Sequence, residues 1–160
     1  MKVVNVHYRD LRATAEAAGA LIDSLASKND RLWPRELWPA MKFDAPLSVG
    51  AKGGHGPIRY FIKAYDPGHS IVFQFTAPSG FDGNHMFEVE TNKDGHVRLV
   101  HSLKMTASGW GCLSWSFVFR PLHDALIEDS LYKAEQSLGC ESNRPVWSPY
   151  VRLLRWAVRK

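Results

Sequence analysis

A chain of 160 residues that is 45% hydrophobic with a formal charge of +4 can bury one good core, and nothing in it reads as a linker between two. Five of its cations (Arg144, Arg152, Arg155, Arg159 and Lys160) and no acid fall within 144–160, so the first 143 residues carry about −1. A nearly neutral body excludes an extended phosphate-binding face, and no nucleic-acid partner is expected. The apolar run within residues 1–6 is too short for a signal peptide or a membrane span, and Cys112 and Cys140 have no C-x-x-C spacing, so a cytoplasmic protein without a disulfide framework is expected.

Taken in chain order, Val4, Val6 and Tyr8 alternate with polar residues as a first strand does. From Asp10 to about Ser27 the apolar spacing becomes three and four (Leu11, Ala15, Ala18, Leu21, Ile22, Leu25), which predicts an amphipathic helix capped by Asp10. Pro34 and Pro39 bracket Arg35-Glu36-Leu37-Trp38, predicting a second, short helix. Beyond residue 44 the pattern turns to strands. Ile58, Tyr60, Ile62 and Ala64 share one face, Asp66-Pro67-Gly68 supplies a turn, and Ile71, Phe73 and Phe75 alternate on the way back. A second hairpin runs from Met86 to Thr91, turns at Asn92-Lys93-Asp94-Gly95 and returns from Val97 to Met105. Leu122, Ala125, Leu126, Leu131, Ala134 and Leu138 then mark a long helix that Gly139 stops. Residues 113–119 fit either a strand or the start of one kinked helix beginning near Gly109, and the kinked helix is preferred.

This order of strand, helices, antiparallel strands and long helix predicts an α+β domain over residues 1–140, followed by a basic amphipathic tail over 141–160. Three stretches carry a resemblance: Trp33-Pro34 to Trp38-Pro39, Val49-Gly50 to Gly56-Pro57-Ile58-Arg59-Tyr60, and Arg120-Pro121-Leu122-His123-Asp124. With them, residues 2 to 138 resemble the helix-grip (SRPBCC) superfamily of START lipid-transfer domains, the birch pollen allergen and polyketide cyclase/dehydrase-like proteins. The resemblance implies a curved sheet of six to seven strands around the C-terminal helix, with two short helices after the first strand. It further implies an apolar cavity for a lipid-like or polyketide-like molecule, and no cofactor. Members of that superfamily include carriers and cyclases, so the resemblance specifies the fold better than the reaction.

The second hairpin holds the most informative chemistry. If Lys93-Asp94 turn with Gly95 as a left-handed bulge, His85 faces Leu103 and Phe87 faces His101, with both histidines on the face shared by Phe87, Val89, Leu99 and Met105. A neutral imidazole both donates and accepts a hydrogen bond, so two of them on an apolar surface could hold a carbonyl or hydroxyl or shuttle a proton; equally, both could be satisfied core histidines. Residues expected at the cavity are Trp38, His55, Arg59, Tyr60, Phe73, Phe75, His85, Phe87, His101, Met105 and Phe117. His85 and His101 are the candidate catalytic pair. A metal site joining them to His55 lacks a nearby carboxylate or a tight His-x-His pair, and no metal is assigned.

The remaining motifs are less specific. Gly53-Gly54-His55-Gly56 lacks the lysine and following helix of a P-loop and reads as a cavity-rim loop or a plain turn. Arg59 is either a polar anchor or an outward strand residue, and His123 beside Asp124 reads first as a helix-surface ion pair. Neither a G-x-S-x-G nucleophile motif nor a dinucleotide fingerprint is present. Arg152, Arg155 and Arg159 line one face of the tail, and Val151, Leu154 and Val158 another, beside Trp147 and Trp156. Residues 147–160 therefore either pack back on the domain or make a weak contact with an anionic membrane or a second copy.

Overall fold

The computed structural model describes residues 1–158, so Arg159 and Lys160 of the basic tail lie outside the described residues. Seven antiparallel strands form one sheet in the order β1-β7-β6-β5-β4-β3-β2. They are β1 (Lys2–Leu11), β2 (Lys42–Phe43), β3 (Lys52–His55), β4 (Ile58–Asp66), β5 (Ser70–Ala77), β6 (Phe81–Thr91) and β7 (Val97–Ala107). Helix α1 (Ala15–Asp23) follows β1, and after β7 a continuous helical stretch runs through α2 (Trp110–Ser114), a π-helical turn (Trp115–Phe119) and α3 (Arg120–Ser137). A last helix, α4, spans Pro149–Val158. Among the described residues no helix is long and apolar enough to cross a membrane. This arrangement of a seven-stranded antiparallel sheet against a long C-terminal helix is the helix-grip fold.

The β6–β7 register is the expected one. His85 pairs with Leu103 and Phe87 with His101; the turn closes through Gly95 N–H to Asn92 O, with Gly95 at φ 80°, a left-handed conformation that glycine adopts without a Cβ penalty. In β4 the expected alternation slips. A bulge between Ile62 and Ala64 advances the phase by one residue, so Ala64 turns outward and Tyr65 turns in to pair with Ile71.

Three local expectations are corrected. Strand β1 extends to Leu11, and Thr14, not Asp10, caps α1 by accepting from Ala17 N–H, while Asp10 pairs with Arg98 across the sheet. Residues 34–38 form turns and no second short helix. Trp33 and Trp38 are both buried, the Trp33 indole N–H bonds Pro39 O at 2.9 Å, and Asp30 accepts from the N–H groups of Leu32 and Trp33, so side-chain burial sets this segment's path. Third, α1 ends at Asp23, short of Ser27. It approaches the β4–β5 turn so closely that a Cβ at Gly19 would collide with the Gly68 carbonyl.

Residues 113–119 are helical, as preferred. Pro121 lacks the N–H that would bond the carbonyl of Phe117, and its ring crowds that turn, so the helix widens into one π turn immediately before it. The Tyr150 hydroxyl of α4 takes the place of the missing donor, bonding Phe117 O at 2.6 Å.

Two apolar clusters result. In the larger, Leu21, Ile22, Trp33, Ile62, Phe73, Phe87, Leu99, Ile127 and Leu131 are buried between sheet, α1 and α3, each fully buried side chain contributing roughly 1.5–3 kcal/mol. The smaller joins Val3, Phe81, Leu103, Met105, Ala107 and Trp115. Phe75 and Phe119 touch both.

Candidate functional site

A cavity of about 200 Å³ opens where these two clusters meet. The sheet contributes Ile58, Phe75, Phe81, His85 and Leu103, and the helix contributes Trp115, Val118, Phe119, Leu122, His123 and Leu126. The rim is made by Trp38 and Pro39, by His55-Gly56-Pro57, and by Arg155 and Val158 of α4. Positions 115, 119, 122 and 126 recur at four, three and four, one stripe of a helix turned toward the sheet.

Polar atoms on this surface are few. His85 Nδ1 lies 3.3 Å from His101 Nε2, and among the described residues His85 Nε2 and His101 Nδ1 have no hydrogen-bond partner. Burial pushes both imidazoles well below the usual histidine range, so they are neutral at pH 7, with the positive potential of neighbouring histidines acting in the same direction. At the other end, the Tyr60 hydroxyl is 3.0 Å from His55 Nδ1, burial lowers His55 to about 3, and burial raises Tyr60 above its ordinary value. The Tyr60 ring meets His85 edge-on at 5.0 Å. These neutral groups offer donors and acceptors in an apolar enclosure, where an unmet hydrogen bond is expensive.

The structure brings some predicted residues together and separates others. Trp38, His55, Phe75 and His85 are on the cavity wall, and His101 backs His85. Tyr60 reaches the site through His55. Phe73 and Phe87 lie behind the histidines, their rings 4.8 Å from His85 and 4.7 Å from His101, and they fill the larger core. Met105 fills the smaller core. Phe117 is 62% exposed, because the π turn rotates it away from the sheet. Arg59 points outward, and its guanidinium bonds Gly56 O and Ile58 O.

Sequence reasoning missed the helical half of the wall. His123 does lie 3.7 Å from Asp124, but it faces inward: its ring is 5.0 Å from that of His101, it lines the cavity, and among the described residues neither ring nitrogen makes a hydrogen bond. Its spacing from Leu122 and Leu126 carried the signal, since a residue adjacent to an inward stripe is itself half inward. Phe81, Leu103 and Trp115 were equally unmarked, and so was Arg155.

No family model and no curated protein matches the chain by sequence. Solved structures do match. The solution structure of a Thermobifida fusca protein superposes with a TM-score of 0.65 at 16% identity, covering 89% of this chain and 99% of that one. A point mutant of norcoclaurine synthase from Thalictrum flavum, in complex with a transition-state analogue, gives 0.62 at 14% identity over 87% and 96% of the two chains. CalU16 from Micromonospora echinospora gives 0.57 at 12% identity over 98% and 83%. These likenesses show the fold.

Proposed function

We propose that this protein binds a small, mostly apolar molecule of one or two rings between its sheet and its long helix, with one carbonyl or hydroxyl held by His85. One observation carries the reading: a void of about 200 Å³ with mostly apolar walls is lined by His85, whose imidazole has a buried nitrogen with no hydrogen-bond partner among the described residues. A cavity of about 150 Å³ suffices for benzene, so this one suits a ring system with a few added atoms and is too small for a two-chain lipid. The helix-grip fold, and the sequence's resemblance to the SRPBCC superfamily, support the same reading.

The probes are naphthalene and 1-naphthol, followed by their fluorescence on titration with protein. Both are expected to bind at one site, the alcohol about 2- to 12-fold tighter, the worth of one net hydrogen bond of about 0.5–1.5 kcal/mol. His85→Phe is expected to erase that difference, and Leu122→Trp to block both by filling the void. Absence of saturable binding, or binding that Leu122→Trp leaves unchanged, would refute the proposal.

A second reading is favoured by the contact between His85 and His101. With its Nδ1 proton shared toward His101 Nε2, neutral His85 has a free acceptor at Nε2. On taking a proton from a bound carbonyl compound there, His85 could pass its Nδ1 proton to His101, so that Nε2 becomes a donor. His101 then carries the positive charge and the substrate the enolate charge until the proton returns, which is what a cyclase or dehydratase needs. His85 and His101 would then be its acid/base pair, working without a cofactor. Turnover of a polyketide-like diketone that both His85→Phe and His101→Leu abolish, with 1-naphthol still bound, would favour this enzyme over a carrier. An outward contact of residues 147–160 with an anionic membrane or a second copy is the remaining proposal, and it would use the face bearing Arg152, Leu153 and Trp156, since Val151 and Arg155 are turned inward.

A further inference from the structure

At the cavity wall and behind it, β1 and α3 bring a second set of ligating groups together. His7 is on β1 directly across from His101, and Asp124 and Glu128 stand one turn apart on α3, which directs both carboxylates to the same side. His7 Nε2 lies 3.2 Å from Asp124 Oδ1, and His123 Nδ1 lies 3.7 Å from the same oxygen. One nitrogen from each imidazole and one Asp124 oxygen are all within 4.8 Å of one another.

We infer that His7, His123 and Asp124 form a binding site for one first-row divalent cation, zinc being the probe of choice. Two imidazoles and a carboxylate are a donor set that such ions accept, with the remaining position left to water. Ligands about 2.0–2.2 Å from a tetrahedral ion are roughly 3.3–3.5 Å from one another, so the separations of 3.2 and 3.7 Å nearly fit as they stand and the third, within 4.8 Å, closes by at most about 1.5 Å. The site is empty.

Three further observations support it. His123 has two nitrogens shielded from solvent, neither with a hydrogen-bond partner among the described residues, a state that buried polar atoms rarely keep and that coordination would relieve. His7 Nδ1 is 2.8 Å from Glu128 Oε1, the arrangement in which a carboxylate takes the second ring N–H of a metal-bound imidazole and fixes its tautomer. Glu128 is itself held by Arg9 through its other oxygen at 2.7 Å, and Asn5 Nδ2 donates to Asp124 Oδ1 at 2.9 Å, so the ligands are oriented before an ion arrives. Without an ion, His7 can only bridge the two carboxylates as a proton carrier, and His123 has no more than a long 3.7 Å contact to Asp124. His123 is shared with the cavity wall, but zinc binding at this site requires no ligand in the cavity.

The full chain, stripped with chelator, is titrated with zinc sulfate at pH 7.5 against a chromophoric competitor. One equivalent is expected to bind with micromolar or tighter affinity. Asp124→Ala and His123→Ala should weaken binding by more than tenfold, and Glu128→Gln by about 10-fold or more. Imidazole nitrogen NMR of the unaltered protein avoids any folding defect in the variants: zinc should shift His7 and His123 and leave His55 unmoved. No stoichiometric binding, no shift at His7 and His123, or binding that instead disappears in a His69→Ala/His96→Ala double variant would overturn the assignment and leave an ordinary proton bridge.

Discussion

His85 and His101 face each other diagonally across β6 and β7, with Nδ1 of the first 3.3 Å from Nε2 of the second, and His101 only 1% exposed. Among the described residues each is the other's one hydrogen-bond partner. Removing either leaves a buried acceptor or donor unmet, so His101→Leu and His85→Phe should each lose about 1–3 kcal/mol in urea denaturation. The double variant should lose less than the two singles combined, because it strands no polar atom. Additivity within about 0.5 kcal/mol would show that the bond carries no coupling.

Acid should unfold this protein earlier than its carboxylates alone require. His55 and His85 have folded values held below the usual histidine range by burial, His55 at about 3. The unfolded chain takes up these protons near pH 6.5 while the folded chain refuses them, so their stability is complete above that pH and drains as the pH falls, by about 1.4 kcal/mol per unit per histidine. His7 runs oppositely: its hydrogen bond to Asp124, aided by Glu128, raises it, so its contribution is full below pH 6.5 and fades as pH rises through the elevated value. Chemical denaturation between pH 7.5 and 4.5, with chelator present, should therefore show falling stability, less steep in His55→Phe. A flat profile would mean that the buried imidazoles are already solvated.

The hairpin register was legible because glycine at a left-handed turn position leaves few ways to pair the strands, and pairing then fixes which residues are neighbours. The sheet-side half of the candidate site, with His85 beside His101, followed from that register. The helix side did not, since which of several apolar stripes faces the void depends on the π turn that Pro121 induces, a tertiary detail invisible to periodicity. Phe117 and Phe119 illustrate it: two residues apart, they would share a face in a strand, whereas here one is solvent-exposed and the other helps to line the cavity. Trp38 and Arg155 met only through the folding back of a segment more than a hundred residues away, a contact that no local pattern encodes.

Asp129 is a carboxylate with 2% exposure, and its Oδ2 accepts from the indole N–H groups of both Trp38 at 2.7 Å and Trp147 at 2.8 Å. It therefore ties the turn after α1 and the segment preceding α4 to one point on α3. Asp129→Ala should cost about 3 kcal/mol or more, since two buried donors lose their acceptor at once, while Trp147→Phe, which removes one of them, should cost about 1–2. Asp129→Asn keeps one acceptor oxygen and should fall between wild type and alanine. Urea midpoints in the order wild type, Asn, Ala are the check, and equal midpoints for Asn and Ala would show that the indole bonds contribute nothing.

Arg155 reaches inward from α4, its guanidinium 4.3 Å above the Trp38 ring and bonded to the Leu37 carbonyl, and with Val158 it forms part of the cavity rim. A desolvated cation over an indole is worth about 2 kcal/mol, so Arg155 holds the last helix across the mouth. Arg155→Ala should reduce stability by about 1–2 kcal/mol and, more diagnostically, speed both entry and exit of 1-naphthol in stopped-flow fluorescence, because the helix that covers the opening loses its inward anchor. Arg152→Ala, on the outward side of the same helix, should change neither quantity. Equal exchange rates for the two variants would mean that the ligand reaches the histidines by another route, past His55 and Gly56 on the opposite rim.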